Sequence, residues 1–251
     1  MQFGRFSAHG EIAYGVVEDG LVKQITTTPF EPFEVTDHVH PVEDVRFLMP
    51  CVPAKGFAIA LNYWSHLAGR PAPERVEPFH KTPNAFIGSG DPILIPKDAG
   101  RVEEEAELVV VIGRRCKNVS PEQALDYVLG YTCGVDVSAR GWQGGDKSWW
   151  RAKSADSFAS LGPVIQTSMD LASFQIFARV NGEQVQHCIA EDMIFNIPDQ
   201  ISTISRYVTL EPGDVIYTGT GGATAEIKPG DTLQVEIPGI GVLENPIEWA
   251  S

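Results

Sequence analysis

Basic residues are scarce in this sequence, which has 19 Lys and Arg against 33 Asp and Glu and a formal net charge of −14 at pH 7. Binding along a nucleic acid or on an anionic membrane surface requires an excess of positive charge. The sequence also lacks any run near the roughly 20 apolar residues that span a bilayer, and its first residues lack the apolar stretch of a secretory signal. We therefore expect neither a nucleic-acid nor a membrane partner, and a cytoplasmic location.

Cysteine is also sparse. The four cysteines, Cys51, Cys116, Cys133 and Cys188, lie far apart in the sequence. They show neither the close pairing of a zinc site nor the density of a disulfide-rich domain. We expect reduced cysteines that pack as small hydrophobic side chains.

No fixed-period repeat or low-complexity segment is present, which excludes solenoids, propellers and long disordered tails. Residues 1–47 contain short alternating runs broken by glycines and prolines, a pattern typical of hairpin strands and an extended linker. We divide the chain into a small N-terminal β appendage, residues 1–47, and a main domain, residues 48–251. Many strand patterns and a few short helix patterns predict an α+β fold dominated by sheet.

The centre of the chain combines two strand patterns with a helix pattern. The residues from Glu105 to Gly113 are largely β-branched and predict a strand. Ser120 followed by Pro121 predicts a helix from about Pro121 to Leu129, ended by Gly130. Tyr131 to Val137 is the next predicted strand. This strand–helix–strand order predicts that the two strands lie side by side in parallel.

The C-terminal half carries strong turn signals. Asn181-Gly182 separates two strand patterns, 174–180 and 183–189, and predicts a β-hairpin. Two Pro-Gly-Asp turns, at 212–214 and 229–231, suit type II turns, and we expect a strand after each. Between them, apolar residues at helical spacing predict a helix from about Pro198 to Val208.

Two acidic residues, Glu105 and Glu107, begin the first central strand. Side chains two apart in a strand leave the same face, so both carboxylates project together. Two such charges about 4 Å apart repel by roughly 1 kcal/mol in water and about 4 kcal/mol at an effective dielectric near 20, which favours a bound cation. Asp136, from the strand predicted to be adjacent, adds a third oxygen ligand, as Mg²⁺ or Mn²⁺ prefers. The alternative is that Glu103, Glu104, Glu105 and Glu107 form a solvated acidic edge.

Segments along the chain carry a recognisable series of motifs: Glu105–Gly113, Ala124–Thr132, Asp136–Arg140, Ala152–Ser154, Val180–Glu183, Leu210–Ile216 and Thr218–Thr220. In their composition and order these motifs resemble the fumarylacetoacetate hydrolase family. The resemblance extends from about Phe57 to Ile247, and makes residues 48–251 the expected catalytic domain.

The resemblance implies a mixed β-sandwich roll that forms a homodimer and holds a divalent metal, commonly Mg²⁺, on positions matching Glu105, Glu107 and Asp136. It implies substrates that are 2-oxo acids or β-diketo acids, as in the breakdown of aromatic and related compounds. Within the family, C–C bond hydrolysis, decarboxylation and isomerisation all occur.

Further site residues follow from the same resemblance. Lys153 matches a lysine whose ammonium stabilises an enolate or oxyanion as its charge develops. Arg140 and Gln143 match positions that contact substrate or support the metal site, and Thr220 matches a turn that lines the pocket. Each of these four residues could instead be an ordinary surface or turn residue.

His66 lies in the segment that forms a mobile lid in the family. Relatives carry His-x-x-Glu there, and the pair activates water; here the glutamate position is Gly69. Glu74 or Glu77 could replace the missing carboxylate, although Pro71 and Pro73 favour an extended loop. A histidine without an orienting carboxylate is a weaker general base, and such catalysis contributes about 10²- to 10⁴-fold to a rate.

Three functional hypotheses result. The first is a Mg²⁺- or Mn²⁺-dependent hydrolase that cleaves a C–C bond in an acylpyruvate or fumarylacetoacetate type of acid, with His66 and Lys153 as catalytic residues. The second, prompted by Gly69, is a 2-oxo acid decarboxylase or keto–enol isomerase. The third is a catalytically silent relative that binds metal or serves as a scaffold, which the full set of acidic residues disfavours.

Overall fold

The computed structural model describes residues 1–251 and consists mainly of β-strands, as the sequence predicted. The strands are β1 (Gln2–Ala8), β2 (Glu11–Glu18), β3 (Leu21–Ile25), β4 (Val35–Pro41), β5 (Arg46–Phe47), β6 (Gly56–Ile59), β7 (Pro78–Lys81), β8 (Phe86–Ile87), β9 (Ile93–Ile95), β10 (Val102–Glu103), β11 (Ala106–Ile112), β12 (Val128–Asp136), β13 (Ser138–Ala139), β14 (Ala159–Gln166), β15 (Gln175–Val180), β16 (Glu183–Ile189), β17 (Val215–Tyr217), β18 (Thr232–Ile237) and β19 (Gly241–Trp249).

Helices are few and short. They are α1 (Pro121–Ala124), α2 (Arg140–Gln143), α3 (Trp150–Ser154) and α4 (Ile197–Tyr207), with 3₁₀ turns at Val42–Asp44, Trp64–His66, Pro83–Ala85, Leu125–Tyr127 and Ala190–Asp192. Only α4 exceeds two turns, and the Asn196 side chain caps its start by accepting a hydrogen bond from the Asp199 N–H at 2.9 Å. None of these helices has the length and apolar character needed to cross a membrane.

Two sheets form the body of the protein. The larger has the strand order β4-β3-β2-β1-β14-β12-β11-β17-β6-β7, and the smaller has the order β16-β15-β18-β19-β9. The central strands β11, β12 and β14 contact β15, β18 and β19 of the smaller sheet. This mixed sandwich is the fold that the family resemblance implied.

Strand β11 is buried on both faces, which explains its unbroken apolar sequence. Leu108, Val110 and Ile112 belong to one core cluster, while Val109 and Val111 belong to another. All five side chains are fully buried. The acidic residues at the start of this strand therefore lie at the rim of a doubly packed core.

The N-terminal strands continue the large sheet. β1 pairs antiparallel with β2 on one side and with β14 on the other, where Phe3 lies opposite Ile165. Phe3 is buried in the same core cluster as Leu161 and Ile165. Residues 1–47 are thus joined to residues 48–251 by hydrogen bonds and by apolar packing.

Two predictions for the chain's centre are wrong. The helix beginning at Pro121 gives way to a 3₁₀ turn that ends at Tyr127, and Gly130 lies inside β12. Strands β11 and β12 are antiparallel, not parallel, with Ala106 opposite Val135. The reason is that the short helix packs against α4 and the Gly113 N–H donates to the Tyr127 carbonyl oxygen at 2.7 Å, so the chain turns back next to the strand it left.

Other local predictions are confirmed. Strands β15 and β16 form the hairpin around Asn181-Gly182, in which both turn residues have positive φ. Strands β17 and β18 follow the two Pro-Gly-Asp turns, and α4 lies one residue from its predicted bounds. All four cysteines are buried and unpaired.

Candidate active site

Three carboxylates converge where β11 begins and β12 ends. Because the two strands run antiparallel, the start of one lies beside the end of the other, and the Asp136 N–H donates to the Glu105 carbonyl oxygen at 2.9 Å. One carboxylate oxygen each from Glu105, Glu107 and Asp136 lies within 4.8 Å of the other two. The structure therefore brings together the three acids that the sequence analysis assigned to one site.

This set of side chains fits a divalent cation. All three donors are carboxylate oxygens, which suit a hard ion such as Mg²⁺ or Mn²⁺, and no histidine or cysteine belongs to the group. Their residues are 5%, 1% and 1% exposed in sequence order. Glu103 and Glu104 are also buried, so the alternative of a solvated acidic edge is wrong.

Positive side chains neutralise two of the three acids. Lys153 Nζ donates to Glu105 Oε2 at 2.5 Å and to Asp136 Oδ2 at 2.8 Å, and Arg140 Nη2 lies 2.7 Å from Glu105 Oε1. Glu107 has no ion-pair partner, and its Oε2 accepts a hydrogen bond from the Gly219 N–H at 2.6 Å. Glu107 is therefore the carboxylate whose negative charge most requires an added cation.

Lys81 is a site residue that the sequence analysis missed. Its buried ammonium donates to Asp136 Oδ1 at 2.6 Å and to the Phe158 carbonyl at 2.7 Å, and it also bonds to the Lys153 carbonyl. Asp136 is consequently held by a lysine on each oxygen. No local pattern distinguishes Lys81 from a surface lysine, because its partners lie far along the chain.

The pKa values follow this division of charge. Burial opposes ionisation of Glu105, but Lys153 and Arg140 outweigh it and hold the pKa of that carboxyl below its usual range. Burial, Asp136 and Glu105 together raise the pKa of Glu107 well above its usual range. Burial also disfavours the charged form of Lys153, yet Asp136 and Glu105 prevail and raise its pKa.

The loop after β17 closes one side of the site. Gly219 has φ +95°, and a Cβ there would lie 2.8 Å from Asn62 Cβ, so glycine allows the N–H to reach Glu107. The Thr220 hydroxyl donates to the Ala106 carbonyl at 2.9 Å and accepts from Gln186 at 2.9 Å. Thr220 lines the cavity, with its hydroxyl already bonded to protein groups.

Arg140 and Gln143 lie together beside the carboxylates. Arg140 Nε donates to Glu103 Oε2 at 2.7 Å, its Nη1 donates to Gln143 Oε1 at 2.8 Å, and its Nη2 bonds to Thr224 as well as pairing with Glu105. This network fixes the guanidinium against Glu105. Both Arg140 and Gln143 line the same cavity as Glu105.

His66 ends the 3₁₀ turn Trp64–His66. Its Nδ1 lies 2.9 Å from the Gly222 carbonyl oxygen, and its side chain lines the cavity. No carboxylate hydrogen-bonds to it. Glu74 and Glu77 are exposed and absent from the cavity lining, and Glu77 pairs with Arg75 at 2.9 Å. Neither residue therefore replaces the glutamate that relatives carry at the position of Gly69.

One cavity of about 730 Å³ connects these groups. Its lining includes Glu105, Arg140, Lys153, His66 and Thr220. Such a volume is typical of small-molecule sites. Three tryptophans lie near α2 and α3: Trp149 lines the cavity, Trp142 packs under Arg151, and Trp150 is exposed.

Comparisons with known families match nearly the whole chain. The family described as fumarylacetoacetate (FAA) hydrolase C-terminal matches residues 55–248, and the family described as Rv2993c-like, N-terminal, matches residues 1–50. A relative from Xenopus laevis, the mitochondrial oxaloacetate tautomerase fahd2, is 37% identical over 225 residues, which cover 84% of this chain and 70% of that protein.

Solved structures share the fold over the full length of the chain. The 5-carboxymethyl-2-hydroxymuconate delta-isomerase from Mycobacterium smegmatis is 38% identical, with a TM-score of 0.94 and 100% coverage of both chains. The maleylpyruvate hydrolase from Sphingobium sp. SYK-6, in complex with manganese (II) ion and pyruvate, is 28% identical with a TM-score of 0.83 and the same coverage.

Proposed function

The chain belongs to the fumarylacetoacetate hydrolase family, and we propose that it is a Mg²⁺- or Mn²⁺-dependent enzyme that forms the enolate of a 2-oxo or β-diketo acid. The observation that carries this proposal is the buried convergence of Glu105, Glu107 and Asp136 beside Lys153. These three acids would hold the ion. When bound, a divalent cation supplies an electrophile that favours the enolate of a 2-oxo acid over its keto form.

Lys153 has the position and charge to act on that enolate. Its ammonium is buried at the cavity wall and hydrogen-bonds to Glu105, Asp136 and Ser138. A cation held in a site with little water stabilises negative charge on a developing oxyanion more strongly than it would in bulk solvent. We assign Lys153 this role.

Arg140, Gln143 and Thr220 are the proposed substrate contacts. All three line the cavity next to Glu105. Because Arg140 is already paired with Glu103 and Glu105, its main contribution is to keep Glu105 in place and to present Gln143 to the substrate.

Keto–enol isomerisation is the reaction that the geometry supports best. It moves one proton from carbon to the 2-oxo oxygen and consumes no water. The environment of His66 suits this chemistry, since the only hydrogen-bond partner of its ring is the Gly222 carbonyl and no carboxylate contacts it. Two of the relatives above carry the names tautomerase and isomerase. Decarboxylation proceeds through the same enolate, so the same observations support it.

Hydrolytic C–C cleavage is the second candidate. His66 lines the cavity and is oriented by the Gly222 carbonyl, so its other ring nitrogen could accept a proton from water. A solved relative carries the name maleylpyruvate hydrolase. An acylpyruvate-type acid is the expected substrate for this reaction, and breakdown of aromatic compounds is its expected setting. We place the enzyme in the cytoplasm as a homodimer.

The test is a comparison of substrates on one preparation. We expect Mg²⁺-loaded protein to accelerate keto–enol exchange of oxaloacetate, to lose this activity with a chelator and regain it with Mg²⁺, and to leave acylpyruvates intact. Acylpyruvate cleavage that falls about 10²- to 10⁴-fold in His66→Ala would instead establish the hydrolase. Activity that survives removal of all divalent metal would contradict the proposal, and inactivity on every 2-oxo acid would indicate a silent relative.

A further inference from the structure

Arg70 is a cavity-lining cation that the proposed chemistry does not use. The cavity contains three arginine or lysine side chains, Arg70, Arg140 and Lys153. Arg140 pairs with Glu103 and Glu105, and Lys153 pairs with Glu105 and Asp136. Arg70 makes no ion pair, although acidic residues outnumber basic ones by 33 to 19 in this chain. Arg70 is exposed to solvent, and no acidic side chain of this acidic protein neutralises its charge.

The guanidinium of Arg70 is held in place by backbone oxygens. Its Nε donates to the Leu67 carbonyl at 2.9 Å, and its Nη2 donates to the His66 carbonyl at 3.0 Å. The Arg70 N–H also donates to the Leu67 carbonyl at 2.9 Å. These bonds fasten the side chain to the last turn of the segment that carries His66, so its orientation is restricted before any ligand binds.

Most of the donor capacity of Arg70 remains available. A guanidinium has five N–H groups, and these contacts use the Nε–H and one of the two on Nη2. The remaining Nη2–H and both Nη1–H groups form the end of the planar fork, which matches the two oxygens of a carboxylate. The bonds to backbone therefore fix the base of the fork and leave its tip free.

We propose that Arg70 is a specificity-determining residue that selects 2-oxo acids with a second carboxylate at the far end of the molecule. The inference rests on the proposed function, because the acids and Lys153 must already bind the 2-oxo acid end. Arg70 lines the same cavity as Glu105 and Lys153, and a volume of about 730 Å³ leaves room for a longer diacid. The fork of Arg70 then pairs with the distal carboxylate.

The simpler explanation is that Arg70 only caps the 3₁₀ turn. That role would make Arg70 important for the position of His66. Loss of the Arg70 side chain would then weaken the binding of every substrate to a similar degree. A role in selectivity affects only ligands with a second negative group. Two ligands of equal chain length that differ only in the terminal group therefore separate the two explanations.

The experiment is calorimetric titration of Mg²⁺-loaded protein with 2-oxopentanedioate and, separately, with 2-oxopentanoate. We expect the unmodified protein to prefer the diacid by about 10- to 100-fold, the range of a charge-assisted bidentate pair. Arg70→Gln should abolish this preference while binding of the monoacid stays unchanged. Arg70→Lys, which keeps the charge and loses the fork, should retain a smaller preference. Arg75→Gln, at an exposed neighbouring arginine paired with Glu77, should behave as the unmodified protein.

Equal affinity of the unmodified protein for both acids would overturn the proposal, and so would a preference that persists in Arg70→Gln. If Arg70→Gln weakens the binding of both acids equally, Arg70 has a capping role only, and this result would also overturn the proposal. A preference that depends on Arg70 in a protein without isomerase, decarboxylase or hydrolase activity would support Arg70 selectivity and refute the proposed function. If the unmodified protein binds neither acid, both the role of Arg70 and the proposed function are refuted.

Discussion

Glu107 differs from its two acidic neighbours in forming no ion pair. Glu105 and Asp136 are each paired with cations supplied by the chain itself. Glu107 receives one backbone hydrogen bond from Gly219, and burial with two nearby carboxylates raises its pKa. The protein thus leaves one buried carboxylate uncompensated at the centre of the site, and a divalent ion is the natural way to compensate it.

We predict that Glu107→Gln separates metal binding from folding. The amide oxygen preserves the hydrogen bond from Gly219 and the shape of the side chain, so the free energy of unfolding without metal should change little. Metal affinity and activity should fall by at least the roughly 10- to 100-fold that loss of an outer-shell partner costs. Calorimetry with Mn²⁺ and chemical denaturation measure the two effects. Glu248→Gln, at an exposed acid, is the control, and equal Mn²⁺ affinity in both variants would remove Glu107 from the ligand set.

Sequence reasoning identified the residues whose relation is local and missed those whose relation is distant. Glu105 and Glu107 are two apart in a strand, and Asp136 lies on the neighbouring strand, so their convergence could be foreseen. Lys81 is 55 residues from Asp136 and 72 from Lys153, the residues it joins. No spacing rule connects such positions, and only the folded chain shows that they meet.

At the level of elements, the pairing of β11 with β12 is what assembles the site. The adjacency of these strands was predicted correctly, whereas the parallel direction expected for them is wrong. The helix between them is too short to lead the chain across the sheet, because its second half is a 3₁₀ turn. The antiparallel arrangement is essential for assembling the site, since it brings the start of β11 beside the end of β12.

We predict that Gly134→Ala weakens this pairing. Gly134 lies opposite Glu107, and a Cβ there would overlap Val109 Cγ2 and lie 2.7 Å from the Tyr217 ring. Overpacking of this kind costs about 1–3 kcal/mol in the free energy of unfolding, which urea denaturation can measure. Gly145→Ala is the matched control, because it is exposed and has no protein atom closer than 3.8 Å to the added carbon. Equal stability of the two variants would contradict the packing described for this strand pair.

At the scale of the whole molecule, the N-terminal strands and the main body share one sheet. The proposed boundary at residue 47 follows a change in sequence pattern. In the structure, however, Phe3 on one side of this boundary packs into the same cluster as Leu161 and Ile165 on the other side. Alternation of apolar and polar residues predicted strands in this segment, whereas nothing in it indicated which strand of the main body it would meet. The homodimer stays a prediction of the family resemblance.

We predict that residues 1–47 and 48–251 unfold together. Phe3→Ala removes a buried ring and should lower the free energy of unfolding of the whole chain by about 3–5 kcal/mol in one cooperative transition. Val39→Ala, at a half-exposed position on the edge strand β4, should change it by no more than about 0.5 kcal/mol. Two separate transitions, with the second unaffected by Phe3→Ala, would show that the N-terminal segment is an independent unit.

A crystal grown with Mn²⁺ and oxalate, examined by anomalous scattering, tests the central claim most directly. The account predicts one manganese peak per chain, at about 2.0–2.3 Å from an oxygen of each of Glu105, Glu107 and Asp136, with oxalate on the cavity side. A manganese ion bound elsewhere, or its absence from this trio of carboxylates while oxalate occupies the cavity, would contradict the account.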